Sequence, residues 1–142
     1  MAPSTGTISK PRTVVLVDDS IFILNRLDRF FREQLGFTVL AQGHDGNEAT
    51  ALYEKHRPDL ITIDISMPNK RGNDAAKEIL SLDRDARIMI VSAVRGNEIL
   101  ECLAMGAKGY MEKPLRFDDQ AYVRDFCETV NEIVTDQKPG GE

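Results

Sequence analysis

Five short apolar runs punctuate the chain, and between them the apolar residues fall into spacings of three and four. The first run, Thr13-Val-Val-Leu-Val17, is continuously apolar instead of alternating, as a strand covered on both faces requires. Beyond Asp18-Asp19-Ser20, the residues Ile21, Leu24, Leu27, Phe31 and Leu35 recur at helical spacing with Arg26, Arg29 and Arg32 between them, and Gly36 closes the segment. The same cycle predicts strands over 38–42, 59–63, 87–91 and 109–112, and helices over 47–56, 73–81, 96–105 and 118–134. Pro58 and Asp59 mark the turn into the third strand, Gly106 ends the fourth helix, and Tyr122, Phe126, Val130 and Ile133 share one face of the last. The third helix offers small residues inward, Ala75 and Ala76 with Ile79 and Leu80, which predicts close packing on the sheet. Strict alternation of this kind predicts an α/β fold with a parallel sheet. Right-handed crossovers make it doubly wound, and ligands of such sheets bind beyond the carboxyl ends of the strands.

A length of 142 residues argues for one domain, and 42% hydrophobic with 29% charged residues excludes a disordered or collagen-like chain. Residues 1–12 and 137–142 are polar and rich in Pro, Gly, Ser or Thr, so they are expected to be tails on a domain at 13–136. A net charge of −5 without a Lys/Arg cluster argues against a nucleic-acid surface. No run approaches the ~20 apolar residues that cross a bilayer, and the start lacks a signal peptide's apolar core. The expectation is a cytoplasmic protein without membrane insertion. Cys102 and Cys127 stand singly among apolar residues and are expected to be buried thiols, not metal ligands.

The strand-end rule turns the fold into a search for chemistry. Asp18 and Asp19 follow the first strand, Asp64 the third, Ser92 the fourth and Lys113, with Pro114, the fifth. Three carboxylates gathered at one edge repel one another and require a cation. Ligands that are few and all oxygen suit Mg²⁺ better than Zn²⁺. Lys113 and the Ser92 hydroxyl would hold phosphoryl oxygens, and Asp64, alone on a central strand, is the carboxylate placed to act as nucleophile. His44 and His56 lie away from these strand ends, and no P-loop, GxGxxG turn, Ser-His-Asp set or CxxC pair competes. Each residue has a plainer reading taken singly: Ser20 caps a helix, Ser92 sits in a turn, Lys113 is solvated, Tyr110 packs. Their joint occurrence favours the site.

Four segments together, Val-Asp18-Asp19-Ser20, Ile-Asp64-Ile-Ser-Met67-Pro68-Asn-Lys-Arg-Gly72, Val91-Ser92-Ala93 and Gly109-Tyr110-Met-Glu-Lys113-Pro114, resemble the receiver domains of two-component response regulators, in particular stand-alone CheY-like ones. The resemblance covers Thr13 to about Val134. It implies a flavodoxin-like doubly wound sheet of five parallel strands in the order 2-1-3-4-5 with five helices. It also implies that a histidine kinase donates a phosphoryl group to Asp64, with Mg²⁺ held by Asp19, Asp64 and the Ser66 backbone carbonyl, and by Asp18 through water. Ser92 and Tyr110 would form a switch that remodels the face of the fourth helix, fifth strand and fifth helix for a downstream protein partner. It further suggests a cis Lys113-Pro114 bond.

Ser66 and Val94 occupy positions that tune phosphoryl lifetime in the family, and Val94 cannot position a hydrolytic water, so slow self-dephosphorylation is expected. The stretch 116–121 is longer than the family commonly has. Within the receiver reading, a chemotaxis-type regulator and a phosphorelay intermediate that passes its phosphoryl group to a histidine-phosphotransfer protein both remain open. An Asp-nucleophile phosphatase of the haloacid-dehalogenase type is disfavoured, because Asp64-Ile65-Ser66 lacks the second acid and the chain has no cap domain.

Overall fold

The computed structural model describes residues 12–135, so the expected tails fall outside it apart from Arg12. Ten elements alternate along the chain: β1 (Thr13–Val17), α1 (Ile21–Glu33), β2 (Thr38–Gly43), α2 (Gly46–His56), β3 (Leu60–Ile63), α3 (Gly72–Leu82), β4 (Ile88–Ser92), α4 (Asn97–Met105), β5 (Gly109–Glu112) and α5 (Gln120–Thr135). The strands form one parallel sheet in the order β2-β1-β3-β4-β5. This is the expected flavodoxin-like order.

Pleating divides the core in two, since successive side chains of a strand point to opposite faces. Val14 and Leu16 join Leu60, Met89, Val91 and the apolar faces of α1 and α5 on one side. Val15 and Val17 join Ile61, Ile63, Ile88, Ile90 and the faces of α2, α3 and α4 on the other. The first layer is aromatic: Phe30 meets Phe126 edge-on at 5.1 Å, and Phe31 meets Phe37 at 5.2 Å and Phe126 at 6.0 Å. The second layer is built of small and branched residues. Ala75, Ala76 and Ile79 of α3 are fully buried, and Leu80 is half-buried.

The observed boundaries differ from the expected ones by one or two residues, mostly for reasons of capping. Asp45 accepts from the Glu48 amide at 2.8 Å, so α2 begins at Gly46. Asp119, not Asp118, receives the amides of Ala121 and Tyr122 at 2.9 and 3.3 Å, which delays α5 to Gln120. Gly96, at φ +82, stands outside α4 as its cap. Asp59 spends its carboxylate on the amide and hydroxyl of Thr13, at 2.8 and 3.1 Å, and β3 starts one residue later. Gly36, at φ +71, lies just past the α1 cap Gln34, where a left-handed conformation favours glycine.

The long 116–121 stretch is anchored. The Phe117 ring stacks on Phe30 at 4.1 Å and nearly parallel, with the Arg26 guanidinium 5.5 Å from the ring centroid. Cys102 is buried and Cys127 half-buried, both as free thiols.

Candidate functional site

The site forms because adjacent parallel strands end level. Val17 pairs with Ile63, so the next residues, Asp18 and Asp64, leave the sheet side by side. The ladder continues past the strand ends: the Asp64 amide donates to the Val17 carbonyl at 3.2 Å and the Asp18 amide to the Gly43 carbonyl at 3.0 Å. Asp18 and Asp64 are buried and Asp19 is exposed, and oxygens of all three carboxylates lie within 4.8 Å of one another. Among the described residues they form the one such group of potential metal ligands.

Lys113 reaches this cluster from the far side. Ser92 pairs with Glu112, and the Lys113 amide donates to the Ser92 carbonyl at 3.1 Å, which sets Lys113 at the same edge. Its ammonium lies 2.7 Å from Asp18 Oδ2 and 3.2 Å from Asp64 Oδ2. The Lys113-Pro114 peptide is cis, as the resemblance suggested. Burial pushes the Asp18 carboxyl above its ordinary value, against the opposing pull of Lys113 and the Ser20 amide. Burial also disfavours the Lys113 ammonium, but Asp18 and Asp64 outweigh it, and the lysine is held above its ordinary value and stays charged.

Three carboxylates against one ammonium leave a local deficit of positive charge. Among the described residues, Lys113 is the one cation in contact with the buried Asp18 and Asp64 carboxylates, and it touches one oxygen of each. An all-oxygen donor set of three converging carboxylates, only partly neutralised by one ammonium, fits a hard divalent cation, and the residues present therefore fit Mg²⁺.

The switch residues are arranged differently from the cluster. Ser92 is fully buried, and its hydroxyl accepts from the Val94 amide at 3.2 Å. Tyr110 is half-buried, and its hydroxyl donates to the Val94 carbonyl at 3.4 Å, a long contact. Both side chains meet the backbone of one residue, Val94, a contact that no residue type at that position foretells. Burial, with Glu112 nearby, raises the Tyr110 phenol.

Ser66 is exposed, two residues beyond Asp64 in the loop closed by Gly72. A β-carbon at Gly72 would collide with the Asp64 carbonyl, so glycine is required there for the loop to close over the strand end. His44 directly follows β2, exposed, with Nδ1 3.1 Å from Glu48, while His56 is the last residue of α2. A groove of about 550 Å³ lies between α1 and the start of α5, beside Phe30, Phe117 and Val123, and no residue of the acidic cluster lines it. No helix among the described residues is long and apolar enough to cross a membrane.

This sheet order with an acidic pocket at its carboxyl edge defines a CheY-like receiver fold. The sequence profile of the response regulator receiver domain matches residues 14–122, and the chain belongs to that family. Chemotaxis protein CheY of Bacillus subtilis (strain 168) is 35% identical over 106 residues, which cover 74% of this chain and 88% of that protein. Protein CcdB of the same organism is 37% identical over 102 residues, 71% of this chain and 84% of that one. Among solved structures, the CheX-CheY-BeF3-Mg²⁺ complex of Borrelia burgdorferi matches with a TM-score of 0.76 and 34% identity, covering 85% of this chain and 90% of that one. Receiver domains act as phosphoacceptors in two-component signalling and bind Mg²⁺ at an acidic pocket.

Proposed function

We propose that this chain carries a response-regulator receiver unit at 13–136, in which Asp64 accepts a phosphoryl group from a histidine kinase. An Asp64 carboxylate oxygen forms the new bond to phosphorus as the bond from phosphorus to the donor's imidazole nitrogen breaks, giving an acyl phosphate. Asp19, Asp64 and the Ser66 carbonyl, with Asp18 through a water, would hold Mg²⁺, which would neutralise charge on the phosphoryl oxygens. Lys113 supplies a fixed positive charge at the same edge, and Ser92 supplies a hydroxyl once it leaves the Val94 amide. The observation that carries this reading is the convergence of three carboxylates within 4.8 Å, with one ammonium touching two of them.

Release of Ser92 from Val94 would free the backbone that Tyr110 also contacts, linking the site to the α4-β5-α5 face. That face carries exposed Leu100 and Leu103, side chains suited to a protein partner. Similarity to chemotaxis proteins favours a chemotaxis-type partner over a phosphorelay role.

Incubation with acetyl phosphate and Mg²⁺ is expected to add a single acid-labile phosphoryl group, seen by intact mass. Asp64→Asn should carry none, and EDTA should suppress labelling of the parent. Persistent labelling of Asp64→Asn would defeat the assignment.

A further inference from the structure

The loop between β3 and α3 carries Ser66, and its outer half rests on the N-terminus of α2, an element that supplies no side chain to the acidic cluster. The Lys70 carbonyl accepts from the Gly46 amide at 3.1 Å, and a β-carbon at Gly46 would overlap that carbonyl. Asn69, left-handed at φ 69, donates from Nδ2 to Asp45 Oδ2 at 2.6 Å. The other Asp45 oxygen, Oδ1, caps α2 by accepting from the Glu48 amide at 2.8 Å. The Lys70 ammonium engages Glu78 of α3, and the same Glu78 oxygen accepts from the Thr50 hydroxyl of α2 at 3.0 Å. At the near end, the Gly72 amide donates to the Ile65 carbonyl at 2.8 Å. The segment between Asp64 and Gly72 is therefore closed on itself beside the end of the phosphoacceptor strand and held to α2 at Asn69 and Lys70.

We infer that Asp45 is a positioning residue for the Ser66 carbonyl: by gripping Asn69 it fixes the height of the loop above the sheet, and so sets how tightly Mg²⁺ binds without touching the ion. This rests on the reading of Ser66 as a Mg²⁺ ligand. Mg²⁺ demands near-octahedral oxygen geometry with short, narrowly defined distances, so a carbonyl on a loop free to shift is a poor ligand. Groups that orient metal ligands from outside the coordination shell are worth much of a site's affinity. The Glu48 amide, and after it the Asn69 amide, hold the Asp45 carboxyl below its ordinary value, so the grip stays anionic at neutral pH. One carboxylate thus serves the helix with one oxygen and the loop with the other.

Two single variants of the full chain separate these roles. Asn69→Gly removes the amide and keeps the positive φ accessible. Asp45→Ser keeps a helix cap and loses the second oxygen. Calorimetric titration with Mg²⁺ should show a dissociation constant raised about tenfold in both. The labelling rate by acetyl phosphate at saturating Mg²⁺, and the thermal midpoint of the metal-free chain, should stay close to those of the parent. The double variant should bind no worse than either single one, because both remove one contact. Unchanged affinity in the two variants, with a parent that binds Mg²⁺, overturns the positioning role alone. So does weakened binding that appears only with a fall in the thermal midpoint. A parent that does not bind Mg²⁺ overturns the reading of the site, and this inference with it.

Discussion

Asp18 is 1% exposed while its neighbour Asp19 is exposed, and the difference divides the labour between them. Asp18 is engaged by Lys113 and the Ser20 amide, whereas Asp19 adds charge to the cluster without a partner of that kind among the described residues. Without a bound ion this charge is a cost, because three carboxylates face one ammonium. Asp19→Asn is expected to raise the unfolding free energy of the metal-free chain by about 1 kcal/mol in urea titrations, the usual scale for relieving a functional strain. The same variant should lose the stabilisation that Mg²⁺ gives the parent. The acidic residues, Ser92 and Lys113 were legible in the sequence because the strand-end rule restricts a site to a few positions. Asp45 and Asn69 were not, since their contact joins residues far apart in the chain whose types also suit a cap and a turn.

At the scale of elements, α5 and α4 are seated very differently. The inward face of α5 buries Tyr122, Phe126, Val130, Ile133 and Val134, all in the aromatic layer. Phe126 touches Phe30, Phe31, Phe117 and Tyr122, so Phe126→Ala should cost about 3–5 kcal/mol of unfolding free energy, read from a denaturant titration. Periodicity revealed this face, and it revealed all ten elements in their order. It misjudged where helices begin, because Asp118 and Asp119 are equally good caps on paper and only the backbone path selects Asp119. The Phe117 stack on α1 was also hidden, since a single aromatic in a loop has no period to betray its direction.

For the molecule as a whole, two buried phenols link the fold to alkaline pH. Tyr122 donates to the Glu112 carbonyl at 2.7 Å and Tyr53 to Asp83 at 2.7 Å, which ties α5 to β5 and α2 to the end of α3. Burial raises both, Tyr122 to about 12. A folded value above the unfolded one means that the unfolded chain loses its phenolic protons first as pH rises. Their contribution is complete below about pH 10 and is lost between there and the folded value. The urea midpoint is therefore expected to hold up to about pH 10 and then fall, and Tyr122→Phe should soften that decline.

The shallow seat of α4 has a consequence for timing. Only Ile99 and Cys102 of this helix are buried, while its cap Gly96 sits on an exposed, left-handed turn. Little cohesion would have to be surrendered for the helix to tilt or slide, so in the proposed switch a hydroxyl changing partners would need only modest free energy to redistribute its orientations. Under that proposal the aromatic half would be the anvil against which this lighter half moves, and a quick readout would not put the integrity of the whole domain at stake.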